Sequence, residues 1–116
     1  LPPYAKQAVP GAGAVSTAAA GLMAFSHATA IECCKFNLRS NCLTYGPGLL
    51  PGPEGDVVRG AQLLLSAPDF MELADAALYL VGDMGRHVTG EVLAVDGGAS
   101  IIAHNQLFRA EDAVWA

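Results

Sequence analysis

Charge is scarce in this sequence, and basic charge is scarcest. Only 15% of the 116 residues are charged, with six Lys and Arg against eleven Asp and Glu, for a net charge of −5. The six bases are scattered, with no basic run. A nucleic-acid or anionic-membrane surface wants clustered Lys and Arg, so the composition speaks against both partners. Cysteine is sparse as well: Cys33, Cys34 and Cys42. An odd count with two of the three adjacent is poor material for a disulfide framework. The spacing is not CxxC and His27 stands alone nearby, so no metal site is expected. The thiols read as reduced and structural, which fits a cytosolic-type compartment. No apolar run approaches the about 20 residues of a bilayer span, so no membrane segment is expected. The opening "LPPYAK" has no Met and no signal-peptide layout, and reads as a fragment or a processed piece. The ending "AVWA" is not the SKL-type peroxisomal address.

Hydrophobic residues make up 53% of the chain, which rules out a disordered polymer and fits one small domain. That much apolar surface fills a core and leaves some over. The surplus implies a buried partner surface, on another chain or on a missing part of the same one.

Residues 1–13 hold three prolines and two glycines more than a helix tolerates and read as loop. Ser16 offers an N-cap-like hydroxyl to an Ala-rich helix over 14–35. Ala19, Leu22, Met23, Phe25 and Ile31 spread round most of that helix, so most of its faces should be buried. Its small residues, among them Ala18, Gly21 and Ala28, would let another helix approach closely. Both core packing and packing against a second copy across a dimer axis fit. His27, mid-helix, reads as packed or partner-facing.

Residues 38–55 read as a short strand running into the loop "GPGLLPGPEG". Helices are expected over 56–82, a first in "DVVRGAQLLLSA" and a second from Asp69. Asp69 with Glu72 makes a capping-box-like start, and Phe70, Leu73, Ala74, Ala77, Leu78 and Leu80 follow at helical spacing. Residues 88–98 read as a last strand of buried type, ending in Asp96, Gly97 and Gly98, where the glycines allow positive φ. Arg86 and His87 fall in the turn before it and read as surface, with a phosphate contact as the sharper alternative. In the tail, 99–116, Phe108 and Trp115 read as anchors on a neighbouring surface. This order is the second half of a parallel, helix-covered sheet. Two strands do not make a stable open sheet alone, so the fold needs strands from elsewhere.

The segments "NLRSNCLTYGPGLL" and "DAALYLVGDMGRHVTGEVLAVDGG" resemble the C-terminal half of a short-chain dehydrogenase/reductase. The likeness covers roughly nine-tenths of the chain, and "VTGEVLAVDGG" behind "AALYL" is its specific part. Within the family, "RSNC" with "EGDVVRG" is similar to the 2,4-dienoyl-CoA reductases, especially the peroxisomal type. Tyr4 lies eleven residues before Val15, about where one branch of that subfamily carries its catalytic tyrosine. The resemblance implies an α/β fold, the C-terminal portion of a Rossmann-like three-layer parallel-sheet domain whose N-terminal half is absent from this sequence. It also implies NADP(H), usable only if that half is present, and hydride transfer to an enoyl or dienoyl thioester. Tyr4 is then the candidate catalytic donor, with an ordinary loop tyrosine as the plain alternative. A phenol there would stabilise the enolate that forms on the thioester oxygen. Tyr45, Gly46, Pro47 and Gly48 are the candidate cofactor-binding loop.

The sequence departs from the family pattern at several places. Val15 and Ala19 stand where the usual tyrosine and lysine would be. Tyr45 stands where a proline is usual, and Pro53 where a threonine often follows. The glycine-rich turn that cradles a pyrophosphate is missing; "GAGA" at Gly11–Ala14 follows no strand and reads as loop. These departures keep two alternatives open: a non-redox enzyme on the same scaffold, and a non-catalytic structural subunit. Expected partners are a second copy through the 14–35 helix, or a second chain supplying the N-terminal half, with a small-molecule or acyl-CoA substrate. Cytoplasmic localisation is expected, with the peroxisome implied only by the resemblance.

Overall fold

The structure, a computed structural model, describes residue 1 and residues 11–46, 63–64 and 69–101. Four regular elements carry it: α1 (Gly13–Glu32), β1 (Cys42–Tyr45), α2 (Phe70–Val81) and β2 (Val92–Val95). Short 3-10 turns follow α1 at Cys34–Phe36, α2 at Asp83–Gly85 and β2 at Ala99–Ile101.

The strands pair in parallel, with Cys42 opposite Val92 and Tyr45 opposite Val95. Parallel neighbours need a crossover, and α2 lies in this one, touching both strands. The expected α/β architecture is therefore present. β1 pairs with β2 along one side and bonds Leu1 along the other. The amides of Cys42 and Gly46 donate to Glu91 and Val95 on the β2 side. On the other side the Leu1 amine donates to the Leu43 carbonyl at 2.6 Å, and the Tyr45 amide donates to the Leu1 carbonyl at 3.2 Å. That alternation is the hydrogen-bond pattern of a parallel bridge between Leu1 and Thr44. Thr44, with neighbours on both sides, is 4% exposed.

α1 begins at Gly13, ahead of the expected cap. Ala12 is the N-cap and makes no side-chain cap bond. Ser16 already lies inside the first turn, its amide donating to the Ala12 carbonyl, so it is not the cap. The alanine-rich sequence that follows is a good helix former and lets the helix start at Gly13 without a side-chain cap. At the other end Asn37 takes φ 56°, the left-handed conformation that Asn tolerates, and turns the chain toward β1.

The expectation that α1 is buried on most faces is not met. Only Ala19 and Ser26 are buried along it, while Leu22, Phe25 and Ile31 are exposed. The apolar residues surround the helix and this chain covers one line of it. The expectation of no bilayer-length segment also needs correction. Gly13–Glu32 is long and apolar enough to cross a membrane by length and composition, because no charge interrupts it before Glu32. The line it does cover packs on the sheet: the Ser26 and Ser40 hydroxyls bond at 2.8 Å, beside Leu22 and Cys42.

α2 starts as expected. Asp69 caps it by accepting from the Met71 amide, and Glu72 accepts from the Asp69 amide. Its expected core face is only partly used, since Leu80 is buried while Phe70 and Leu78 are exposed. At the carboxyl end, Arg39 donates from Nη1 to the Leu80 and Val88 carbonyls and from Nη2 to Val81. A cation there answers the negative end of the helix dipole and its unpaired carbonyls. Next to it Asn41 uses its side chain as a piece of ladder, donating to the Val88 carbonyl at 2.9 Å and accepting from the Glu91 amide at 3.0 Å. The expected strand from 38 is shortened to Cys42–Tyr45: before it the Asn41 side chain stands in for ladder bonds, and one backbone bond, from the Gly90 amide to the Ser40 carbonyl, remains. The expected helix in "DVVRGAQLLLSA" falls outside the described residues except at Leu63 and Leu64, which form a bend. The tail beyond Ile101, with Phe108 and Trp115, lies outside them too.

Candidate functional site

Open parallel sheets bind ligands beyond the carboxyl ends of their strands, where loops leave the sheet side by side. Here β1 leaves the sheet at Tyr45–Gly46 and β2 at Asp96–Gly98, with Leu1 alongside Thr44 on the far edge.

Gly46 is buried and its amide donates to the Val95 carbonyl at 3.1 Å, one step beyond the ladder. Its Cα packs against the neighbouring loop. A Cβ there would come within 3.0 Å of the Asp96 Cα and 3.2 Å of its carbonyl oxygen. Glycine is required by this close approach of two backbones. Tyr45, where a proline was expected from the resemblance, is half-buried and spends its amide on Leu1, a bond that a proline could not make.

Asp96 is 6% exposed and organises the second loop. Its Oδ1 accepts from the Gly98 amide and its Oδ2 from the Ser100 amide, both at 2.9 Å. Such charge-assisted bonds fix a turn more firmly than neutral ones. Gly97 and Gly98 take φ 60° and 85°, as the glycine pair foretold. The Gly97 carbonyl accepts from both the Leu63 amide, at 2.8 Å, and the Leu64 amide, at 3.1 Å. A Cβ on Gly98 would come within 2.8 Å of Leu63 Cδ1, so the turn is shaped to receive that side chain. Sequence reading placed Asp96 and the two glycines at the end of the last strand but missed the Leu63–Leu64 contact. The "DGG" run was the available signal, and its partner lies too far away in the chain to be paired from spacing.

On α1, Val15 is 47% exposed and Ala19 is 2% exposed. The position expected to hold a lysine is therefore an enclosed methyl group. The Ser16 Oγ beside them is enclosed without a hydrogen-bond partner. Tyr4, Pro47 and Gly48 lie outside the described residues, so of the candidate site only Tyr45 and Gly46 are located, and they are adjacent at the end of β1. His27, Arg86 and His87 are exposed and stand apart from these loops in the sequence of elements. Cys33, Cys34 and Cys42 are free thiols. Among the described residues no three His, Cys, Asp or Glu side chains gather as a metal site.

For a dinucleotide, the located residues fit one side of a site and not the other. The Tyr45–Gly46 loop presents backbone at the carboxyl end of the parallel strand β1. Ala19, at the position expected to hold a lysine, supplies no charge for a ribose or phosphate.

Comparison with known proteins follows the same outline. The family described as enoyl-(acyl carrier protein) reductase matches residues 4–100. A 3-oxoacyl-[acyl-carrier-protein] reductase of Chlamydia muridarum is 34% identical in an alignment of length 97 that covers 77% of this chain and 38% of that protein. An acetoacetyl-CoA reductase of an Acinetobacter species is 33% identical in an alignment of length 91 that covers 72% of this chain and 36% of that protein. The solved structure of 4-hydroxyisoleucine dehydrogenase complexed with NADH superposes with a TM-score of 0.65 at 20% identity, covering 75% of this chain and 39% of that one. At that identity the likeness is one of fold. The chain thus spans well under half the length of the relatives it matches.

Proposed function

This chain belongs to the short-chain dehydrogenase/reductase family, and on that premise we propose that it forms the carboxyl-side part of an NAD(P)(H)-dependent reductase of thioester-bound acyl groups. One observation carries the reading. The backbone of Tyr45–Gly46 leaves the carboxyl end of a parallel strand, where such sheets bind ligands, and is held against the Asp96 turn. The relatives support the substrate class, since two of them are named for reduction on acyl-carrier-protein or CoA thioesters.

When bound, the dinucleotide supplies the hydride. The part of this chain is to hold the ring side of the cofactor through Tyr45, Gly46, Pro47 and Gly48. Tyr4 donates a hydrogen bond to the thioester or carbonyl oxygen as charge develops there. The phosphates need residues ahead of those in this sequence, from the same protein or a second chain. Preference for NADP(H), and a 2,4-dienoyl-CoA substrate, are the finer forms of this reading and rest on "RSNC", "EGDVVRG" and the placement of Tyr4. A second copy docked through α1 is the proposed assembly, because Leu22, Phe25 and Ile31 are exposed around a helix that this chain covers along one line. A cytoplasmic location remains part of the proposal.

A second reading has its own observation. The enclosed Ala19 favours a non-redox enzyme on the same scaffold, since neither cofactor ribose nor donor tyrosine has a lysine there. The experiment that separates the two is intact mass of the purified protein, then NADPH and NADH binding by fluorescence. Turnover of acetoacetyl-CoA, crotonyl-CoA and a 2,4-dienoyl-CoA follows. Stoichiometric oxidation of the reduced dinucleotide supports the reductase. Thioester conversion without it supports the second reading. Neither binding nor conversion leaves a structural subunit.

A further inference from the structure

We infer that Asp96 is a positioning residue for the Tyr45–Gly46 backbone, acting through a single turn that also anchors Leu63 and Leu64, on the far side of the segment 47–62 in the chain. This deepens the reductase reading and, for its effect on cofactor, rests on it.

Three contacts converge on the turn after β2. Before the segment, Gly46 packs its Cα on the Asp96 backbone, close enough that not even a methyl group fits between them. After the segment, Leu63 and Leu64 both donate their amides to the Gly97 carbonyl, and the Leu63 side chain lies where a Cβ of Gly98 would stand. Between these two anchors the turn itself is held by the Asp96 carboxylate, one oxygen on Gly98 and the other on Ser100. The carboxylate is buried, so its two bonds are not diluted by water. Gly97 and Gly98 reach left-handed φ without steric cost but are not held there by side chains, and the carboxylate bonds fix the turn.

Removing the carboxylate therefore frees the turn to change its peptide orientations. The Gly97 carbonyl then no longer points at the Leu63 and Leu64 amides, and the surface that Gly46 rests on shifts. A contact made by Gly46 or its neighbours to a dinucleotide is lost with it, although Asp96 need not touch the ligand.

The test uses the protein as its own gene encodes it. Asp96→Ala and Asp96→Asn are compared with wild type and with Leu80→Ala, a core truncation in α2 away from the turn. Amide exchange at Leu63 and Leu64 is read by mass spectrometry or NMR, and reduced-dinucleotide Kd and KM by fluorescence and kinetics. Asp96→Ala should speed exchange at Leu63 and Leu64 more than in β1, and weaken dinucleotide binding about tenfold or more, as expected for losing charged hydrogen bonds. Asp96→Asn keeps one accepting oxygen and should fall between, which keeps the test open if the alanine variant does not fold. The dinucleotide KM should rise while kcat at saturating dinucleotide holds. Leu80→Ala should lower stability with Kd unchanged. Unchanged exchange at Leu63 and Leu64 in both Asp96 variants overturns the inference. So does a Kd that rises as much in Leu80→Ala, which would make Asp96 merely structural. A wild type that binds neither NADH nor NADPH sinks the reductase reading instead, and the exchange comparison still decides whether the Asp96 turn anchors Leu63 and Leu64.

Discussion

Arg39 and Leu80 are joined across the chain: the guanidinium at the foot of β1 donates to the Leu80 carbonyl at the end of α2. The same side chain also reaches Val81 and Val88, so one arginine closes a helix and fastens the turn that follows it. Arg39→Ala should cost about 2 kcal/mol, since it leaves several carbonyls without their charged donor. Arg39→Lys should recover only part of that, because a single ammonium cannot fork to three carbonyls. Urea unfolding of the protein and both variants measures this, and a midpoint unchanged in Arg39→Ala would count against the clamp.

Gly46 should tolerate no side chain. A Cβ would sit 3.0 Å from the Asp96 Cα, and backbone cannot swing aside as a side-chain tip can. Gly46→Ala should destabilise by about 1–3 kcal/mol, in the range of overpacked sites. In the reductase reading it should also weaken dinucleotide binding. Thermal unfolding with and without NADPH tests both effects together.

Tyr4→Phe tests the proposed donor. Loss of the hydroxyl should lower kcat by about a hundredfold or more, the usual scale of a positioned proton donor, with dinucleotide Kd unchanged. Turnover equal to wild type would assign the donor to another residue.

The bare apolar surface of α1 should set the assembly. Phe25 is 70% and Ile31 74% exposed in the single chain. Replacing either with Ser should raise the dissociation constant of the oligomer about tenfold or more, given the apolar area each would bury. Analytical ultracentrifugation at micromolar concentration reads it. A monomeric wild type would remove the proposed second copy.

How much of the site was legible varies with the range of the forces involved. The capping box of α2 was readable because Asp69 and Glu72 act within one turn. The positive-φ glycines were readable because no Cβ is a local property. The last strand was readable from its own apolar run, but it is shorter than the expected 88–98, spanning Val92–Val95, and half-buried where a buried strand was expected. The burial of α1 was not, since a helix apolar on all sides announces that something will cover it and not which chain does so. Tyr4, Pro47 and Gly48 were legible as candidates by resemblance and lie outside the described residues.

The sequence by itself therefore determined the local chemistry: where α2 starts, where the chain may turn left-handed, which runs pair as strands, and that lysine is missing from position 19. Tertiary structure alone decided the rest. It set Leu1 beside Thr44, Arg39 on the end of α2, Asn41 in place of a ladder bond, and Leu63 on the Gly97 turn. Those contacts join residues distant in the chain, and their energy depends on distances that no local pattern encodes. A hydrogen bond between such groups exists only after the sheet has brought them within about 3 Å.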